Sequence, residues 1–247
     1  MALYDIPGTA VHGSAAHDAL LRRITGAAGV AAGLLALVAV PLYFVYDGPP
    51  PAGNVLTRIL LNLLTCAALL VFTAGLRYLI RTAAPGFDYL GGLVLGAGTA
   101  YVTVTLVAAS LEAGVVLEHP DGTLDPTVDG PLAHGAMLLH GSAARLLTAL
   151  LLAAAGYAIL RSGVLPRWTG LAAYAVAAAN LAFLPSLYFG TDAARFYSAV
   201  GWGNSALTAA LVVYWAFAAG VVLLRSPGSP GSPGSPGRSA RPGTRAG

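Results

Sequence analysis

The sequence predicts an all-α integral membrane protein, a bundle of six transmembrane helices with both termini cytoplasmic. Three observations predict it. The 247 residues are 57% hydrophobic and 9% charged, against roughly 25% charged in a soluble domain, and the mean hydropathy is +0.73. Six sparsely charged stretches each supply the roughly 20 apolar residues that one helical crossing needs. The arginines then sort to alternate connectors, as the positive-inside rule requires of a multi-pass chain.

Segment 1 covers residues 27–46 (AAGVAAGLLALVAVPLYFVY) and carries no charge. Its apolar core exceeds the roughly 7–15 residues of a cleaved signal, so it reads as a retained anchor behind a cytoplasmic segment, residues 1–26. Segment 2 covers 56–80 and segment 3 runs from 89 to 111 or beyond. Segment 4 covers 132–160, segment 5 168–190 and segment 6 200–224. The connectors hold turn formers: Asp47-Gly-Pro-Pro-Pro, Ala84-Pro-Gly, His119-Pro-Asp-Gly and Leu165-Pro-Arg. Pro166 and Trp168 mark the entry to segment 5, proline for the first turn and indole for the interface. Residues 27–225 thus form one membrane domain. Residues 226–247 begin as an SPG repeat that can bury nothing, and read as a disordered, arginine-containing tail. An outer-membrane barrel is excluded, because none of the stretches alternates polar and apolar residues.

Ten of the 13 basic residues, all arginine, fall on one side: Arg22, Arg23, Arg77, Arg81, Arg161, Arg167, Arg225, Arg238, Arg241 and Arg245. Asp47, Glu118, Asp121, Asp125, Asp129 and Asp192 fall on the other. Both termini are therefore expected in the cytoplasm. Small-residue pairs, Gly29/Gly33, Gly92/Gly96 and Ala153/Gly156, imply close helix contacts. Tyr43, Tyr46, Tyr89, Tyr188 and Trp202 lie near crossing ends and read as interface anchors.

Chemistry has few places to reside. The chain has no lysine, and its single cysteine, Cys66, excludes disulfides and thiolate metal sites. HExxH, P-loop and GxGxxG-plus-acid patterns are absent, so neither cofactor nor metal is expected. His140 and Ser142 diverge by roughly 200° on a helix and make no nucleophile–base pair. What remains is a set of polar residues inside the crossings, which are costly there and so informative.

Heights above the cytoplasmic end of each helix, at about 1.5 Å per residue, place Arg145 at ~22 Å and Asn180 at ~21 Å. Tyr101 and Thr103 fall at ~18–21 Å, level with Thr65 and Cys66. Asn62 lies at ~27 Å, His140 and Asn204 at ~30 Å, Arg58 at ~33 Å and Glu112 at ~34 Å. Arg58, Asn62 and Thr65 recur at i, i+4, i+7 on one stripe, and His134, Gly141 and Arg145 share another. The expectation is an outward-facing polar pocket built from Arg145, His140, Glu112, Arg58, Asn62, Asn180, Asn204 and Tyr101. Arg145 should bond segment 3 or segment 5, and Glu112 should couple to Arg58 or His140. The competing expectation is that the Asn and Thr residues are interhelical glue and that Arg58 and Glu112 form a structural pair.

His140-Gly-Ser-Ala-Ala-Arg145, an apolar run to Tyr157, and Leu160-Arg-Ser-Gly-Val-Leu-Pro-Arg-Trp-Thr-Gly170 resemble the six-helix bacterial membrane proteins of domain-of-unknown-function family 4386. The likeness is concentrated in Met137–Leu184. It implies a single bundle in a bacterial cytoplasmic membrane, and no activity or catalytic residue. The expected partners are membrane lipid and a small amphiphilic ligand, with no nucleic acid; the sequence leaves the oligomeric state open. Three functions stay open: binding or moving such a ligand, an enzyme on a lipidic substrate with Glu112 or His140 as acid/base and Arg145 holding an anion, and a non-catalytic structural or sensor subunit.

Overall fold

A computed structural model describes residues 8–46 and 48–225, and the side chains from residue 16 onward in those ranges except that of residue 131. The expected tail, residues 226–247, and residues 1–7 lie outside the described residues. The helices are α1 (Gly8–Ala39), α2 (Ala52–Ala83), α3 (Asp88–Glu118), α4 (Gly130–Leu138), α5 (Ala144–Ser162), α6 (Arg167–Ala182) and α7 (Thr208–Arg225). Short 3-10 turns follow α1 (Pro41–Phe44), precede α3 (Pro85–Phe87) and follow α6 (Leu184–Phe189), and π-helical turns occupy Leu139–Ala143 and Gly203–Leu207. Among the described residues six stretches are long and apolar enough to cross a membrane: Ala16–Phe44, Ala52–Ala83, Pro85–Glu118, Leu132–Ser162, Arg167–Phe189 and Gly203–Arg225. They correspond one for one to segments 1–6.

The segments form a closed ring in chain order. Helix α1 packs on α2, α2 on α3, α3 on α5, α5 on α6 and α6 on α7, and α7 returns to α1. Two seams are set by missing side chains. On α1, a Cβ at Gly29 would lie 2.6 Å from the Ala216 carbonyl oxygen, and one at Gly220 of α7 2.6 Å from that of Gly26. On α5, a Cβ at Gly156 would lie 3.0 Å from the Gly170 oxygen of α6. Backbones at these seams approach as only small residues allow. Gly92 and Gly96 behave otherwise: nothing lies within 4 Å of their Cβ positions, so that pair faces outward from the ring.

The arginine-rich half of the ring is filled by apolar side chains, including Phe72, Leu76, Leu152, Ile159, Trp215 and Leu223. Trp215 sits edge-on to Phe72 at 5.9 Å and donates its indole N–H to the Thr169 carbonyl at 3.0 Å. That buried polar tip is thus satisfied, as a dry core demands.

Helix ends depart from the hydropathy limits for physical reasons. Helix α1 begins at Gly8, well before residue 27, because the preceding residues contain no breaker after Pro7 and hydropathy marks a membrane boundary, not a helix end. Tyr78 ties this extension down by donating to Asp18 Oδ1 at 2.6 Å. Helix α6 stops at Ala182 because Pro185 brings no N–H and disfavours the α conformation before it. Gly163, at φ +66°, closes α5 in the left-handed conformation and turns the chain toward Pro166.

Candidate functional site

The apolar core stops short of the arginine-poor end. There the ring encloses a cavity that offers about 110 Å³ to the centres of water-sized molecules, several times the roughly 10–15 Å³ that one water requires. Arg58, Asn62, Thr65 and Cys66 of α2 line it, as do Tyr101 and Glu112 of α3, His140 of the first π turn, and Ser205 of the second. Its other walls are apolar, with Ala36, Ala39, Leu69, Ala209, Ala210 and Val213 among them. Pro126 and Thr127 of the connector after α3 also line the cavity. That connector is knit by its own carboxylates: the Thr127 N–H and hydroxyl both donate to Asp125 Oδ1 at 2.8 and 2.7 Å, and the Asp125 N–H donates to Asp129 Oδ2 at 2.6 Å.

Arg58 and Glu112 form an ion pair at the cavity edge. Arg58 Nε and Nη2 both donate to Glu112 Oε1, at 3.0 and 2.6 Å. The Arg58 side chain is 3% exposed and that of Glu112 12%. Tyr43 supplies a third contact, its ring centroid 4.2 Å from the guanidinium carbon, a cation–π arrangement strengthened by desolvation. The sequence reading placed Tyr43 at the interface as an anchor; instead it stacks on Arg58. The available signal was the short Tyr46–Ala52 connector, which brings the end of segment 1 beside the start of segment 2. Among the described residues no hydrogen bond engages the His140 ring or the Asn62 amide, although both line the cavity.

Arg145, Asn180 and Asn204 lie elsewhere. All three are fully buried and none lines the cavity. Arg145 Nε donates to the Gly141 carbonyl at 2.9 Å, Nη2 to the His140 carbonyl at 2.6 Å, and Nη1 to Asn180 Oδ1 at 3.4 Å and to Thr208 Oγ1. Thr148 Oγ1 also donates to Asn180 Oδ1 at 2.7 Å. Among the described residues no carboxylate takes part, so neutral acceptors hold the guanidinium. Segments 5 and 6 supply its side-chain partners, Asn180 and Thr208; segment 3, the other expected source, supplies none. Thr103 is exposed on the outside of the ring and donates to Thr99.

The two π turns explain how such a cage arises. In an α-helix the Ala144 N–H would bond the His140 carbonyl. Here it reaches Leu139 and Gly141, which leaves the His140 carbonyl for Arg145. Likewise the Thr208 N–H bonds Gly203 and Ser205, and the freed Asn204 carbonyl accepts the Thr208 hydroxyl at 2.7 Å. That hydroxyl then has its lone pairs for Arg145. Asn204 Nδ2 links the two turns by donating to Ser142 Oγ at 3.3 Å and to the Ala199 carbonyl at 2.8 Å. The inserted residues also shift the helical register that the sequence reading assumed. His140 therefore faces the cavity, and Arg145 turns into the packed interior behind it.

The expected site residues thus separate into two groups. Arg58, Asn62, Tyr101, Glu112 and His140 share the cavity, and Arg145, Asn180 and Asn204 share the buried cage. His140 joins them, ring on one side and carbonyl on the other. Thr148 and Thr208 are cage members that the sequence reading missed; the signal for Thr208 was its position one turn after Asn204. Compared with known proteins, the chain matches no family model, no curated protein and no solved structure.

Proposed function

We propose that this is a polytopic protein of a bacterial cytoplasmic membrane, with both termini cytoplasmic, that binds or moves a small amphiphilic, lipid-like ligand in the cavity at its arginine-poor end. The arginine distribution supports the orientation. The resemblance of Met137–Leu184 to domain family 4386 supports a bacterial bundle and adds no activity. One observation carries the functional reading: polar groups with unspent hydrogen-bonding capacity, His140 and Asn62, line a cavity whose remaining wall is largely alanine, leucine and valine. Buried polar groups are normally paired, and an amphiphile's head satisfies them while its chain covers the apolar wall. Membrane lipid is the nearest source of such molecules.

A second reading is an enzyme on a lipidic substrate. Glu112 and His140 line one cavity, which favours it, but Arg145, expected to hold the substrate's anion, does not line that space.

The test is binding of N-phenyl-1-naphthylamine, a neutral fluorescent amphiphile, to the full chain in lipid nanodiscs. Saturable binding is expected. Ala209→Phe, which fills the apolar wall, is expected to weaken it about tenfold while circular dichroism stays unchanged. Equal binding by the wild type and the filled variant would remove this reading.

A further inference from the structure

We infer that the cavity selects an amphiphile with an anionic head, a carboxylate or phosphate seated against Arg58, and that Glu112 is the built-in counter-charge which this head displaces. The inference rests on the amphiphile reading and adds the sign of the ligand's charge.

Arg58 stands in a partition. It lines the inner cavity and also a polar recess on its outer side, formed with Leu42, Tyr46 and Asp125. Tyr43 and Thr127 line both spaces as well. A molecule seated at Arg58 therefore touches the polar recess with its head and the alanine and valine wall with its chain.

The pairing of Arg58 leaves room for a better partner. A guanidinium and a carboxylate at their best form two parallel bonds that use both oxygens. Here Nε and Nη2 converge on Oε1 alone, and no described residue bonds Nη1. The stacked Tyr43 ring fixes the plane of the guanidinium, so its donor edge is already oriented for an incoming oxyanion. Glu112 holds that edge through a single oxygen.

Charge balance sets the sign. Among the described residues Glu112 is the only carboxylate lining the inner cavity. Against it stand Arg58 and, behind His140, Arg145, whose acceptors are all neutral. Asp125 lines only the outer recess, where its Oδ1 already accepts two bonds from Thr127. Among the described residues, two fixed cations and one anion, away from water, favour an entering anion and oppose an entering cation.

The test displaces N-phenyl-1-naphthylamine from the full chain in nanodiscs with dodecanoate, dodecyl phosphate, dodecanol or dodecylamine. The two anions are expected to act at concentrations about tenfold lower than dodecanol, and dodecylamine is expected to be weakest. The order of the two anions assigns the head as carboxylate or phosphate. Glu112→Gln removes the competing charge and keeps an oxygen acceptor. It is expected to tighten dodecanoate about threefold or more and leave dodecanol unchanged. The neutral pair Arg58→Gln/Glu112→Gln is expected to lose the preference for anions; if it fails to fold, Glu112→Gln alone decides. Equal displacement by dodecanol or dodecylamine, or weaker dodecanoate binding in Glu112→Gln, would overturn the anion assignment while saturable probe binding left the amphiphile reading standing. Probe binding indifferent to Ala209→Phe is the separate outcome that removes that reading.

Discussion

Replacing Thr208 by valine and Asn180 by leucine together is expected to destabilise the bundle more than removing Arg145 itself. The guanidinium is fully buried and meets no carboxylate among the described residues, so its charge is tolerated through neutral acceptors. Taking away both side-chain acceptors leaves two backbone carbonyls, His140 and Gly141, to hold it. A buried charge stripped of partners costs about 3–5 kcal/mol, which thermal unfolding in detergent reads as a fall on the order of 10 °C. Arg145→Met is expected to lose less than half of that. Methionine fills much of the same volume and brings no charge, while Asn180 keeps its bond from Thr148 and Thr208 keeps its bond to Asn204. Adding Arg145→Met to the double variant is therefore expected to restore part of the lost stability. A drop larger for Arg145→Met than for the double variant would mean that the arginine stabilises the bundle outright, against the cage account.

The second large effect is expected at Arg58 and Glu112. Glu112→Ala leaves a guanidinium that is 3% exposed without a counter-charge, at a cost of about 3–5 kcal/mol. Arg58→Ala is expected to cost less, because Glu112 is the more exposed partner and can take water from the cavity. Arg58→Leu with Glu112→Leu is expected to unfold near the wild-type temperature, since a well-packed apolar pair can replace a buried ion pair at little cost. Measured unfolding temperatures of the two alanine variants and of Arg58→Ala/Glu112→Ala complete a double-mutant cycle. Additive losses would show that the two side chains do not depend on one another.

Much of this arrangement is legible in the sequence, and the remainder is hidden for definable reasons. Six segments follow from hydropathy because each helix must satisfy its own backbone and spans by length alone. The Arg58/Asn62/Thr65 stripe follows from helical period, and all three residues line the cavity. Depth arithmetic brings Arg145 level with Asn180 and Arg58 level with Glu112, and both pairs are bonded. Three things stay hidden. The π turns at Leu139–Ala143 and Gly203–Leu207 have no composition signal, yet each inserts a residue and frees the carbonyl that the cage uses. The facing of small and polar residues depends on ring order: Gly29 meets α7, while Gly92, Gly96 and Thr103 look outward. Tyr43 reads as one of several aromatic residues at crossing ends until the first connector folds it onto Arg58. Tyr89 and Tyr188 are 80% and 90% exposed.

The most direct test of the central claim is the reactivity of one cysteine placed in the apolar wall of the cavity. The chain carrying Cys66→Ala and Ala209→Cys, in vesicles of known orientation, is exposed to a charged methanethiosulfonate reagent with and without N-phenyl-1-naphthylamine. Modification is expected from the side bearing the Glu118–Asp129 connector, slowed about tenfold by the amphiphile. Modification from the opposite side only, or a rate indifferent to the amphiphile, would contradict an outward-facing cavity that holds one.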